Sequence, residues 1–462
     1  MAQRIALGLL LLIMLVAPYQ SQPAQANNNT EYMGMVVRDP WYEYGTNPAY
    51  PNAANQAFLD QMGQNLADAG VQWVRFEFHI PLAANDAQVQ AEIAKNDYFI
   101  KTVAPRHNLK ILGLLGFDLL RGSEAELLNT GPFTVTSKYG GGINQYMKTW
   151  LDRSLAIADH YRNDIHAYQI LNEQNRLPPS GKAITPEIFG RLQTKFYRFC
   201  KNIDPTNENH GCTNAKIIMG GLHPRGTLEK GKNGYMTDAE YLKRVYNDIN
   251  SFGGFYQSHG YYPNDAVAYH PYPEEIRQSL PRPRLNPYVE QGMGFMRQAL
   301  KEIVPPSTSA ANPQKPACQP LWITEIGVNE WFDIDGPKNP TPPYTEQDQV
   351  QLMNEAFTYL PQRMLDATQC GANQREIENI FWFKYEDFPP VDMVYDSKGN
   401  PITYPQRWGI VRIPMPTDRN CEGGCYAVDG VPEFYRRSYW EYRKLAGKPV
   451  YEQYLPNLSV VR

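Results

Sequence analysis

Two glutamates stand where buried strands would be expected to end: Glu173 follows "AYQILN" and Glu325 lies inside "LWITEIGV". A carboxylate against an apolar run is costly unless it is paired or used. Two such groups sharing one pocket are the working parts of glycosidic bond hydrolysis. One gives a proton to the leaving oxygen, and the other meets the positive charge that develops at the anomeric carbon. The first must therefore hold a proton near neutral pH while the second is ionised. Neighbouring residues would set that difference. Asn172, beside Glu173, supplies an uncharged amide for a sugar hydroxyl, and Arg75 in "WVRFEF" would hold Glu325 ionised by charge and hydrogen bonding.

Groups so far apart in sequence meet only if a scaffold brings strand ends together. Short β-rich runs alternate with helical periods along the chain. The predicted strands are 32–37, 71–78, 109–117, 166–173, 215–222, 265–272, 320–328 and 378–386. A predicted helix follows each: one from about residue 55 to Gly70, then 86–106, 143–162, 185–203, 237–250, 288–304, 346–367 and 432–447. Eight consecutive β-α units are what a closed (β/α)₈ TIM barrel requires, here as a single α/β domain. An open doubly wound sheet uses the same alternation, but no Gly-rich phosphate turn opens any of these helices. The connections at 118–142, 329–345 and 387–431 are long and follow strands three, seven and eight. In a barrel that is the face where catalysis sits. Glu173 and Glu325 would then both look into the mouth.

With the motifs on that frame, the chain resembles glycoside hydrolase clan A, the retaining (β/α)₈ glycosidases. The resemblance implies that Asn172-Glu173 is the Asn-Glu pair whose glutamate is acid/base, and that Glu325 is the strand-seven nucleophile. "AYHPYP" matches the strand-six His-x-Tyr pattern, which makes His270 a substrate ligand and Tyr272 the hydroxyl that orients the nucleophile. Arg75 resembles the strand-two arginine. Trp382 in "IFWFKYED" resembles the strand-eight tryptophan that forms a floor under the sugar. Gln174 departs from the Asn-Glu-Pro usual in the clan's cellulase and mannanase family, so xylosidase-like and β-1,3-glucanase-like members fit equally. The implied activity is hydrolysis of a poly- or oligosaccharide. The alternatives are an inactive carbohydrate-binding or cell-surface barrel and a transglycosylase.

Each element also has a plainer reading: rim salt bridges for the glutamates, a structural ion pair for Arg75, and core packing for Trp382. His79, His223 and His270 all end predicted strands, which raises a metal site. The His-x-His of barrel metallohydrolases is absent and a carboxylate pair needs no metal, so neither metal nor cofactor is expected. Asp118, Trp331, Tyr385 and Asp387 sit near the long loops and are candidates to line sugar subsites.

Residues 1–26 read as a secretory signal. Arg4 precedes an apolar run from Ile5 to Val16, and "PAQA" ends at Ala26 with an A-x-A type cleavage site. The catalytic domain is assigned to 27–447 and a tail to 448–462. The 44 basic and 48 acidic side chains give a net charge of −4, which argues against nucleic acid. The expected partner is a glycan, met extracellularly or in a periplasm, by a monomer with no membrane association once the signal is removed. Asn28 and Asn457 lie in glycosylation sequons. Six cysteines, an even number, suit an oxidising compartment. Cys318 precedes strand seven and Cys370 precedes strand eight, so both fall at the bottom of neighbouring strands and are expected to pair. Cys200 with Cys212 and Cys421 with Cys425 are the expected local pairs.

Overall fold

The structure is a computed structural model. Of the 462 residues it describes 30–37, 52–80, 86–120, 127–135, 137–176, 182–203, 210–224, 236–273, 289–329, 345–388, 394–395, 401–403, 407–413 and 431–450. The signal segment, both sequons, Trp331 and the Cys421/Cys425 pair lie outside them.

Eight parallel strands close into a barrel in chain order, β8 pairing with β1. They are β1 (Met33–Val36), β2 (Trp73–Glu77), β3 (Lys110–Leu115), β4 (Ala167–Asn172), β5 (Lys216–Leu222), β6 (Ala266–Tyr269), β7 (Leu321–Ile326) and β8 (Ile377–Trp382). One principal helix follows each strand: α1 (Asn52–Ala69), α2 (Asp86–Ala94), α3 (Gln145–Tyr161), α4 (Pro186–Cys200), α5 (Asp238–Asn247), α6 (Glu290–Glu302), α7 (Glu346–Tyr359) and α8 (Arg437–Leu445). Local chemistry marks several starts. Asn144, Thr185, Thr237 and Thr345 each accept a hydrogen bond from a first-turn amide, and Thr345 with Asp348 forms a full capping box.

Three predicted helices are shorter or more broken than their periodicity implied. The 86–106 segment divides into α2, a π-helical stretch Tyr98–Val103 and a final turn Ala104–Arg106 that opens just before Pro105. α7 stops at Tyr359, two residues before Pro361, and a 3₁₀ turn follows. α8 starts at Arg437 because Phe434–Tyr435 is spent on a two-stranded pairing with Val411–Arg412. A further helix, Phe252–His259, precedes β6.

The lumen is packed, then turns polar within one pleat. Trp73, Leu112, Ala167, Ile218, Ala266, Ala268, Trp322 and Phe381 form one buried cluster inside the barrel. Trp73 meets Trp322 edge to face at 5.3 Å, and small alanines on β4 and β6 make room for these rings. Two residues further along the same strands the inward positions become Arg75, Gln169, His270 and Thr324, all buried. That polar layer floors the mouth.

Disulfides join Cys318 to Cys370 and Cys200 to Cys212. The first ties the chain entering β7 to the chain entering β8 across 52 residues. Replacing Cys318 and Cys370 with alanine should lower unfolding free energy by roughly 4 kcal/mol in the chain-entropy view. Guanidinium unfolding of the variant beside the parent measures this, and coincident midpoints would show that the bridge contributes nothing. Among the described residues, no helix is long and apolar enough to cross a membrane.

Candidate active site

Neither of the two strand-end glutamates sits in regular strand geometry. In β4, Leu171 and Glu173 have φ of 59° and 46°, the left-handed region that non-glycine residues enter at a cost of about 1–3 kcal/mol each. Successive strand side chains normally face opposite ways. Here the twist lets Asn172 and Glu173 both reach the mouth. β7 does the same by an irregular register with β8 between Ile323 and Ile326, so that adjacent Thr324 and Glu325 both bond inward.

Arg75 organises the floor. Its Nε donates to Gln169 Oε1 at 2.9 Å, Nη1 to Glu325 Oε1 at 2.8 Å and Nη2 to Asn172 Oδ1 at 2.8 Å. Asn172 therefore spends its carbonyl on Arg75 and keeps its amide N–H groups to offer. The second oxygen of Glu325 accepts from the Tyr272 hydroxyl at 2.7 Å. With charge on one oxygen and a hydroxyl on the other, Glu325 is aimed as an anion. Burial and the Glu325 charge together push the Tyr272 phenol well above its usual range, so it stays a donor.

His270 lies between the two carboxylates. Its Nδ1 is 3.2 Å from Glu173 Oε1 and 3.5 Å from Glu325 Oε2, while Nε2 is 2.9 Å from Thr324 Oγ1. The ring is fully buried, so it lies beneath the site rather than open to substrate. The close approach depends on Gly221, where a Cβ would fall 2.0 Å from His270 Nε2. A Glu173 oxygen, a Glu325 oxygen and a His270 nitrogen all lie within 4.8 Å of one another. A second such group, Glu77, His79 and Asp118, sits at the ends of β2 and β3, with His79 Nδ1 2.8 Å from Asp118 Oδ2.

Glu173 is held differently from the proton-bearing acid that its sequence position suggested. Burial raises its carboxyl, but hydrogen bonds and charge from His223 and His270 outweigh that and hold it well below the usual carboxylate range. Arg176 Nη1 adds an ion pair to Oε2 at 2.7 Å. His223 is pinned by its own backbone: Asn175 accepts from the His223 amide at 2.8 Å and donates to its carbonyl at 2.9 Å. The resting group is thus a carboxylate.

Trp382 is not where a sugar floor would be. It is fully buried in the cluster between barrel and helices, whereas its neighbour Phe381 points into the lumen. Strand alternation decides this, since Phe381 and Phe383 share the inward side. Among the described residues, the aromatic rings at the mouth are instead Phe383 and Trp408, 5.4 Å apart, with Tyr272 5.5 Å from Trp408 and 6.1 Å from Phe383. Tyr385 is also enclosed and accepts from Asn65 at 2.8 Å. Asp387 is engaged by Arg436 at 2.6 Å and by the Gly409 amide at 2.9 Å. Sequence reasoning missed Arg176, Thr324, Gln169, Phe383 and Trp408 as site groups. Arg176 alone carried a signal, standing three residues after Glu173 in "NEQNR".

No family model matches the chain, and no curated protein matches it in sequence. Several solved structures are similar in shape. A family 39 glycoside hydrolase from the gut symbiont Bacteroides cellulosilyticus WH2 is 13% identical, with a TM-score of 0.47 over 90% of this chain and 63% of that one. The chain thus spans less than two thirds of that protein. An endo-β-1,4-mannanase from Thermotoga petrophila is 12% identical, with a TM-score of 0.46 over 91% and 77% of the two chains. A family 1 β-glucosidase from Thermotoga maritima is 12% identical, with a TM-score of 0.47 over 90% and 97%. Such likeness is one of barrel shape, and chemistry does not transfer with it.

Proposed function

We propose that this chain is a secreted retaining β-glycosidase, with Glu325 as nucleophile and Glu173 as acid and then base. Its substrate is a glycan, and it acts as a single catalytic domain after loss of residues 1–26. The observation that carries this reading is the spacing of the two carboxylates. Oxygens of Glu173 and Glu325 lie within 4.8 Å, on the side of about 5–5.5 Å between carboxyl groups for covalent catalysis rather than about 6.5–9.5 Å where a water must fit between.

The groups divide the work accordingly. Glu325, ionised by Arg75 and aimed by Tyr272, forms a bond to the anomeric carbon as the glycosidic C–O bond breaks. Glu173, having first taken a proton from solvent, gives it to the departing oxygen. It is then the carboxylate that its histidine partners favour, and it draws a proton from the water that frees the sugar from Glu325. His270 keeps the two carboxylates in register and Thr324 fixes its ring.

The test is proton NMR of the first-formed sugar during hydrolysis of a panel of β-linked glycans. Two inversions at the same carbon should release the β anomer. Prompt appearance of the α anomer would refute the covalent route, and glycan binding without any new reducing ends would refute hydrolysis.

A further inference from the structure

Arg176 takes no part in the double displacement, yet it holds the acid. Its Nη1 sits 2.7 Å from Glu173 Oε2 with its side chain 28% exposed. The groups on the other oxygen, His270 and His223, are 0% and 8% exposed and cannot withdraw. Glu325 lies on that same side, its Oε2 3.5 Å from the His270 Nδ1 that meets Glu173 Oε1. The oxygen of Glu173 left over by the buried histidines is therefore the one Arg176 covers, and a leaving group protonated from it would meet that guanidinium. An ion pair there adds to the hold of the two buried histidines on the carboxylate form. For Glu173 to act as an acid, Arg176 must be drawn off. The ligand that competes for a guanidinium is another planar or multi-oxygen anion, gripped through two parallel hydrogen bonds. A neutral sugar hydroxyl offers too little to break the pair.

We propose, building on the glycosidase reading, that Arg176 selects the substrate's leaving-group side, and that the glycan carries an acidic sugar, a uronate or sulfate ester, next to the scissile bond there. The anion takes Arg176, and Glu173 loses the one withdrawable cation it has among the described residues and accepts a proton from solvent. That proton goes to the leaving oxygen as Glu325 bonds to the anomeric carbon. When the acidic product departs, Arg176 returns to Glu173, restoring the carboxylate that must deprotonate water in the second step. The same contact would thus select the substrate and reset the acid.

The test uses the full chain and pairs of β-linked polymers differing only in charge: uronate-bearing glycans with their carboxyl-reduced forms, and sulfated glycans with their desulfated forms. The parent protein should lose about tenfold or more in kcat/KM on the neutralised partner. Arg176→Met should treat both partners alike to within about twofold, gaining on the neutral polymer and losing on the acidic one. Its alkaline limb of kcat/KM against pH should also move upward on the neutral polymer, a shift that mere structural damage would not give. Arg176→Lys, which keeps the charge without the fork, should fall between. Response in one polymer pair alone identifies carboxylate or sulfate. A parent protein that cleaves neutralised and acidic polymers equally well, with Arg176→Met slowing both alike, overturns the proposal and leaves the glycosidase reading standing. No release of reducing ends from any polymer overturns both.

Discussion

Glu325→Gly should reduce hydrolysis by on the order of 10⁵-fold or more, about 7 kcal/mol of transition-state stabilisation. The loss is large because the group forms the covalent bond and because its removal leaves Arg75 and the Tyr272 hydroxyl aimed at an empty position. That cavity is the right size and charge for a small anion. Azide or formate supplied with an activated aryl β-glycoside should restore turnover and give an α-linked product, since the exogenous nucleophile attacks from the side Glu325 occupied. Circular dichroism and thermal unfolding establish that the variant is folded. Turnover within tenfold of the parent would remove Glu325 from the nucleophile role.

Glu173→Ala should split the two half-reactions. With an aryl leaving group that departs without protonation, the glycosyl-enzyme still forms. Its hydrolysis slows by roughly 10²–10⁴-fold, the usual worth of a positioned general base. Intermediate should accumulate as a burst of aryl alcohol, and azide should release it as a β-linked product. The pH profile gives a second check. The parent needs Glu173 protonated for the first step, and the carboxyl is held low by His223 and His270. On a poor leaving group, kcat/KM should therefore fall as pH rises through the pKa of the free enzyme's Glu173. In Glu173→Ala that limb should vanish. An unchanged limb and no azide product would assign the acid to another residue.

A chain with the plain alternation of this one states its architecture locally. Each apolar run of strand length is followed by a helical period, several of them capped, and eight such units are what a closed barrel requires. The same local rules placed Glu173 and Glu325 at strand ends and Cys318 near Cys370, because position along a barrel strand translates directly into height in the fold. Helix ends were less legible where Pro105 and Pro361 interrupt a continuing apolar period.

The direction of a side chain at a strand end is different in kind. Trp382 and Phe383 are neighbours of similar character, and one pleat decides which faces the mouth and which faces the helices. Nothing in "IFWF" announces that choice, because it depends on register against β7, where the strand is irregular. The left-handed residues of β4 and that irregularity of β7 turn consecutive residues toward one pocket, against the alternation from which any sequence reading must start. Charge state is likewise a property of the assembled site. Glu173 was expected to hold its proton. Three cationic or proton-sharing partners from three segments, Arg176, His223 and His270, make it a carboxylate instead. The sequence by itself determined which carboxyl groups would meet and on what scaffold, since those follow from periodicity summed along the chain. Only the tertiary structure decided what surrounds them, because electrostatics acts over a few ångströms of space and takes no account of separation in sequence.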